Sequence, residues 1–362
     1  MLRAQTAAEI EIGELLERTI EASASDLHLT VGIPPMLRIH GRLCAIPGAP
    51  VLTPADTERL AKSMTTEEQW QRFLRDKELD FAISRHQLAR FRANCFYQRG
   101  SIGIALRMIP YEIPDPEGLG IPTVIRKFAM ADHGLFIVTG PTGSGKSTTL
   151  ATMVDYINEN RNCHIVTIED PIEYLHRHKK SIVNQREMHS DTHSFEEALR
   201  HVLRQDPDVI LIGEMRDLET MQTALTLAET GHLVLATLHT GDACQAITRI
   251  IDVYPPHQQA QARTQLSTVL LGVQVQQLIR KRDGSGRVLA YEILVVTPAV
   301  AHMIRSGEVQ QIYSAIQTGA AEGMCTLNSM LLKLYRSGKI SREAALQKSA
   351  RQKELLEAMG RE

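Results

Sequence analysis

The sequence is short of cysteine, aromatic residues, net charge and long apolar runs, and each shortage excludes something. Its five cysteines (Cys44, Cys95, Cys163, Cys244, Cys325) each lie more than 50 positions from the next. That spacing provides no CxxC zinc site and no disulfide framework, so a reducing cytoplasm is the simplest compartment. Aromatic residues make up 4%, and 40 Lys and Arg against 42 Asp and Glu leave a net charge of −2. With neither stacking platforms nor a basic stripe, nucleic acid is not an expected partner. No run approaches the ~20 apolar residues of a membrane span, because Glu292 and Pro298 interrupt the best candidate. The opening "MLRAQTAAEIEIGELLERTIEA" has no apolar core and no cleavage site, so no secretory signal is expected.

What is present is a globular composition, 43% hydrophobic and 23% charged over 362 residues, long enough for two domains. The division falls where proline and glycine concentrate. Residues 110–122, "PYEIPDPEGLGIP", hold four prolines and two glycines, which remove backbone donors and loosen the chain. The expected layout is a first domain over 1–112, a linker over 113–122 and a second domain over 123–362. In the first, Ile12, Leu15, Leu16, Thr19 and Ile20 recur at helical spacing. "SDLHLTV" alternates, with Leu27, Leu29 and Val31 on one face, "PMLRIHGRL" has a hairpin pattern turning at Gly41, and "ARFRANCFYQRGSIGIALRMI" predicts two strands joined near Gly100. After the linker come four apolar runs, "GLFIVTG", "HIVTIED", "DVILIGE" and "HLVLATLHT", separated by helical segments. Such alternation indicates a parallel sheet covered on both faces, whose ligands bind beyond the carboxyl ends of the strands. From about residue 256 the chain is expected to be predominantly helical.

The polar groups that end those strands form one constellation. "GPTGSGKS" (Gly140, Pro141, Thr142, Gly143, Ser144, Gly145, Lys146, Ser147) follows the first apolar run directly and matches G-x-x-x-x-G-K-[ST], with Thr148 next in the helix. Glycines let backbone amides curl around phosphate oxygens, and a helix N-terminus adds its positive end. Lys146 is placed to bridge the β- and γ-phosphates of ATP, and Ser147 to ligate Mg²⁺. The second run ends in Glu169 and Asp170, and the third in Glu214. Two carboxylates beside a phosphate site can hold Mg²⁺ and polarise an attacking water. A usual Walker B strand ends Asp-Glu, whereas Gly213 precedes Glu214 here. The metal-side role then falls on Glu214, and Glu169 becomes the better candidate for general base. The fourth run carries a histidine at either end. Seven residues at ~3.3 Å each put His232 and His239 about 23 Å apart, too far to share a metal. His239 lies at the carboxyl end, where it can sense the γ-phosphate. His232 lies at the other end, where it is expected to meet another segment or subunit.

"GPTGSGKS", "TIEDPIEY", "LRQDPDVILIGEMRD" and "AETGHLVLATLHTGDA" resemble the Walker A, Asp, Walker B and His boxes of the secretion ATPase superfamily. With "SDLHL", "FRAN" and "IYSAIQTG", they are most similar to the PilT-type retraction ATPases of type IV pili. The resemblance spans nearly the whole chain and implies an α/β protein: a PAS-like N-terminal domain, then a RecA-like P-loop ATPase domain with a helical C-terminal region. It implies a homo-hexamer using ATP and Mg²⁺ to act on an inner-membrane platform protein from the cytoplasmic face, so that pilin is withdrawn. It also implies arginines from the N-terminal domain acting on the nucleotide, which places Arg92 and Arg107 first, with Arg90 and Arg99 behind them. An arginine delivered to a γ-phosphate is worth about 10³–10⁵ in rate. The family's A-I-R-N-L-I-R-E-G-K-like box corresponds to "AVAHMIRSGE", residues 299–308. Arg305 and Gly307 are kept, but Ala301 replaces an arginine and Glu308 a lysine. The alternatives are a secondary retraction motor beside a paralogous pilus ATPase, an assembly or secretion motor, or an ATP-binding regulatory ring subunit with little turnover.

Overall fold

A computed structural model describes residues 10–39, 42–85, 89–109, 113–188 and 190–360. The chain divides into two compact units, Met1–Glu112 and Ile113–Glu362.

The first unit is a six-stranded antiparallel sheet with helices Ile12–Glu21, Pro54–Met64 and Glu67–Asp76. Its strands are β1 (Asp26–Leu29), β2 (Met36–Ile39), β3 (Arg42–Ala45), β4 (Glu78–Arg85), β5 (Ala89–Gln98) and β6 (Ser101–Ile109), in the spatial order β3-β2-β1-β6-β5-β4. Period-two alternation sets what each face does. Along β5, Ala89, Phe91, Ala93 and Cys95 are buried, which turns Arg92 outward. The buried side chains pack with Leu27, Leu60, Phe73 and Leu106 into one core. Reciprocal capping boxes, Thr53 with Asp56 and Thr66 with Gln69, start the two helices before β4. Strands β2 and β3 form the expected hairpin, and the turn residue Gly41 lies outside the described residues.

The second unit is a seven-stranded sheet, β13-β12-β7-β11-β10-β8-β9. Four of its strands are the four apolar runs: β7 (Gly134–Thr139), β8 (His164–Glu169), β10 (Val209–Ile212) and β11 (Leu233–Thr237). Between the two middle ones in sequence lies β9 (Ile182–Glu187), an edge strand parallel to β8. β7, β10 and β11 are buried at every position, as a parallel sheet under helices on both faces requires.

The stretch from about 256 departs from the helical expectation. Besides its helices it holds β12 (Leu270–Arg280) and β13 (Arg287–Val295), which extend the sheet beyond β7. The pattern "LLGVQVQQLIR" hides a strand because Gln274 and Gln276 are buried, so two polar residues occupy positions where an apolar run would be sought. Residues 113–122 pack with the second unit: Asp115 caps the amide of Gly118 at 2.8 Å, and Ile121 is buried in its core. Residues 110–112 lie outside the described residues.

Candidate active site

The phosphate loop hangs between β7 and the helix Lys146–Asn160. Its glycines are dictated by space and by backbone. A Cβ at Gly140 would fall 2.2 Å from the Gln276 carbonyl oxygen, and Gly143 and Gly145 take φ of 75° and 90°, the left-handed region. Gln276 reaches across from β12 to fix the loop. Its Nε2 donates to the Ser144 carbonyl at 2.9 Å, and its Oε1 accepts from the Thr149 hydroxyl at 3.0 Å. Gln274 donates to the same Oε1 at 3.1 Å. Neither glutamine is marked by any motif; the only sequence signal is a pair of glutamines alternating with valines.

Lys146 is nearly buried, and its Nζ donates to the carbonyls of Gly140 at 3.0 Å and Pro141 at 3.3 Å. Burial pulls its ammonium below the usual lysine range, and the Glu214 carboxylate opposes that shift. Phosphate oxygens would offer it anionic acceptors, making ion pairs in place of these bonds to neutral carbonyls. A third contact, 3.4 Å to His239 Nδ1, joins it to the end of β11. On the other side of that imidazole, Nε2 lies 3.4 Å from Glu214 Oε1. With the ammonium donating to Nδ1, the ring proton belongs on Nε2, directed at the carboxylate. Lys146, His239 and Glu214 thus form one chain across the ends of β7, β11 and β10.

Glu214 also pairs with Arg216 at 2.7 Å. Burial alone would raise its pKa; the hydrogen bond and charge of Arg216, with the hydrogen bond from His239, outweigh it and hold the carboxyl below its ordinary range. Glu169 is opposite in character. Burial pushes it up to about 7 although Thr167, Gln185 and the Glu173 backbone all donate to it. The Thr167 hydroxyl is 2.6 Å and the Gln185 amide 3.2 Å from its Oε1. Gly213 makes that neighbourhood possible: a Cβ there would meet the Glu169 Cα and the Ile168 carbonyl oxygen at 3.2 Å each. Tyr174, in the loop after Asp170, places its hydroxyl 3.0 Å from Thr148 Oγ1. Lys146, Thr148, Glu169, Tyr174, Glu214, Arg216 and His239 line one cleft of about 540 Å³, together with Thr142, Ser147, Asp170 and Arg287. An exposed hydroxyl at Ser147 and an ionised carboxylate at Glu214 are the hard oxygen donors that Mg²⁺ takes.

The other candidates are not gathered into this cleft. His232 is satisfied at the amino end of β11, with Nδ1 3.0 Å from the Leu227 carbonyl and 3.2 Å from the Thr230 hydroxyl. Arg305 is exposed in the last turn of the helix Pro298–Ser306, just before Gly307 at φ 81°. Arg92 and Arg107 belong to the first unit, where they lie directly opposite one another on β5 and β6. Arg107 Nε donates to Asp26 at 2.9 Å while its side chain stays 73% exposed, so most of its guanidinium edge remains available. Sequence reasoning passed over Arg216, Gln185, Thr167, Gln274 and Gln276. Of these, Arg216, two residues after Glu214 in "GEMRD", and Thr167, two before Glu169 in "TIEDPIEY", stood beside a motif residue.

Residues 6–346 match the family of type II/IV secretion system proteins. The chain belongs to that family. It is 48% identical to the type IV pilus retraction ATPase PilT of Pseudomonas aeruginosa over 340 residues, 94% of this chain and 98% of that protein. It is 44% identical to the type IV pilus ATPase PilU of the same organism, over 93% of this chain and 88% of that protein. Among solved structures, the pilus retraction motor PilT with bound ADP superposes with a TM-score of 0.90 at 50% identity, covering 96% of this chain and all of that one. The chain is therefore a nucleotide-binding ATPase of this family, α/β in class, with an N-terminal domain followed by an ATPase domain. Among the described residues, no helix is long and apolar enough to cross a membrane.

Proposed function

We propose that this ATPase is a hexameric motor that powers retraction of a type IV pilus. The carrying observation is the convergence of Lys146, His239, Glu214 and Glu169, one from each of four neighbouring strand ends, in the cleft beside the phosphate loop. Residues 140–148 cradle the phosphates of ATP, Ser147 and Glu214 hold Mg²⁺, and Glu169 takes a proton from the attacking water. A base is most effective when its pKa lies near the operating pH, and about 7 suits Glu169 better than the depressed carboxyl of Glu214. His239 bridges Lys146 and Glu214, so a change at the γ-phosphate reaches two strands at once. Arg92 and Arg107 act on the nucleotide of a neighbouring subunit. The ring works at the cytoplasmic face of the inner membrane against a platform protein.

Support for retraction rather than assembly comes from the identity to proteins named for retraction and twitching, carried over nearly the full length. A second reading, a retraction motor working beside a paralogue, is favoured by Ala301 and Glu308 in the altered box and by the comparable identity to two pilus ATPases of one organism, PilT and PilU. Gene deletion with a count of surface pili and a twitching assay separates these readings. Excess pili without motility supports a primary retraction motor, partial motility the secondary one, and loss of pili refutes both. In the purified protein, Lys146→Ala should abolish ATP turnover while leaving the fold intact; residual turnover above about a tenth of wild type would refute the phosphate-loop assignment.

A further inference from the structure

Glu169 does not stand by itself at the end of β8. In the parallel pairing of β8 with β9, Gln185 is the register partner of Thr167, and both side chains reach the same carboxylate oxygen. The Gln185 amide has two further bonds. Its Nε2 donates to the Tyr174 carbonyl at 2.8 Å, and its Oε1 accepts from the His176 amide at 2.8 Å. Because the His176 N–H can only donate, the oxygen of Gln185 must face it, which leaves the NH₂ for Glu169 and Tyr174. Both donors and one acceptor lone pair of this side chain are thus engaged, and the amide has one workable orientation.

The loop held in this way is the one that brings Tyr174 to Thr148, one residue past Ser147 in the nucleotide-binding helix. A single amide on an edge strand therefore fixes the base carboxylate and the segment touching the phosphate-loop helix. We propose that Gln185 is a positioning residue for ATP hydrolysis, aligning the Glu169 carboxylate, jointly with Thr167, by tying it to the backbone of Tyr174 and His176. The proposal rests on Glu169 being the general base.

The test is steady-state phosphate release by the full-length protein, alongside the affinity for a fluorescent ADP analogue. Gln185→Met keeps the length and removes the polar groups. It should lower kcat about tenfold, a part of the 10²–10⁴ a positioned base contributes, with KM and analogue affinity within about twofold. Thr167→Val should lower kcat in the same way, and Thr167→Ser, which keeps the hydroxyl, should restore it. Gln185→Glu keeps the acceptor for His176 but places a carboxylate against Glu169, and should be slower than Gln185→Met. Glu169→Gln is the control that separates the two claims. If Glu169→Gln loses turnover but Gln185→Met and Thr167→Val keep wild-type kcat, the positioning role is wrong and the base assignment stands. If Glu169→Gln turns over normally, the base assignment fails and the positioning role falls with it. Equal losses in kcat and in analogue affinity for Gln185→Met, with Thr167→Ser failing to rescue, would show a merely structural contact and overturn the proposal.

Discussion

Restoring the usual acidic residue before Glu214 should damage this enzyme. At the end of β10, Gly213 donates its amide to the Ile168 carbonyl at 2.8 Å, and a Cβ added there would lie 3.2 Å from both the Glu169 Cα and the Ile168 oxygen. Ordinary contacts begin at 3.4 Å, so the strand ends must part by a few tenths of an ångström. β10 is buried at every position and β8 from Ile165 to Ile168, so neither yields without disturbing a packed neighbour. Overpacking of this kind costs about 1–3 kcal/mol. The reduced freedom of the unfolded chain returns about 0.4–1 kcal/mol. For Gly213→Ala the net is about 1–2 kcal/mol, or a fall in Tm of about 2–8 °C for a domain of this size. Misplacing a catalytic group by about 1 Å can cost 10²-fold, so a few tenths should lower kcat by roughly three- to tenfold. Gly213→Asn and Gly213→Asp are nearly isosteric, and the difference between them isolates charge. The aspartate puts a second carboxylate beside Glu169, raises the pKa of the base further and should be the slower of the two at pH 7. The measurements are thermal melting with and without Mg-ADP, and phosphate release at saturating Mg-ATP. Wild-type melting and turnover in Gly213→Asp would refute the argument that glycine is there to make room for Glu169.

Three further outcomes are expected. Because burial raises Glu169 to about 7 from an unfolded value of 4.5, kcat should fall on the acid side of pH 7. Its folded form binds a proton more tightly than its unfolded form, so its contribution to stability is lost as pH rises from about 4.5 to about 7. Glu169→Gln should therefore gain Tm relative to wild type at pH 8 more than at pH 5, and equal differences at both would contradict the assigned burial. Mixing Arg107→Ala subunits with Lys146→Ala subunits should recover some turnover if arginines act across subunit interfaces, and no recovery at any ratio argues for action within one chain. Ala301→Arg combined with Glu308→Lys should leave ATP turnover unchanged and alter twitching, since the helix Pro298–Ser306 contributes nothing to the cleft among the described residues; a severalfold change in turnover with unchanged motility would reverse that reading.

Pattern alone was sufficient where one physical requirement dominates a segment. The runs at 134–140, 164–170, 208–214 and 232–240 must be apolar on both faces, and they became β7, β8, β10 and β11. The phosphate loop was legible because phosphate binding and tight packing both demand glycine at fixed offsets. Two requirements in competition obscured the rest. In β12, burial calls for apolar residues, but Gln274 and Gln276 are retained at buried positions to hold the loop. In β9, an edge strand with one exposed row, "IVNQRE" carries so little hydrophobic signal that no pattern marks Gln185 as the partner of Glu169. Sequence spacing also contains nothing about which carboxylate His239 would meet.

Topology decides that last question. In chain order the strands run β7, β8, β10, β11; in space they run β7, β11, β10, β8. The last of the four is inserted next to the first, and adjacent strands lie about 4.8 Å apart. His239 is therefore one strand from the phosphate loop, Glu214 two and Glu169 three, which puts Glu169 roughly 14 Å along the row from β7. The histidine has to touch Lys146 and Glu214, and it does so at 3.4 Å on either side. Glu169 lies too far along the row for the same kind of contact, and the loop after it crosses back to bring Tyr174 against Thr148. The two carboxylates then differ in character. The one beside the cations is held ionised and fit for a metal, while the one at the far end is desolvated and able to take a proton. The division of labour we propose, which spacing left open, follows from where one strand was inserted.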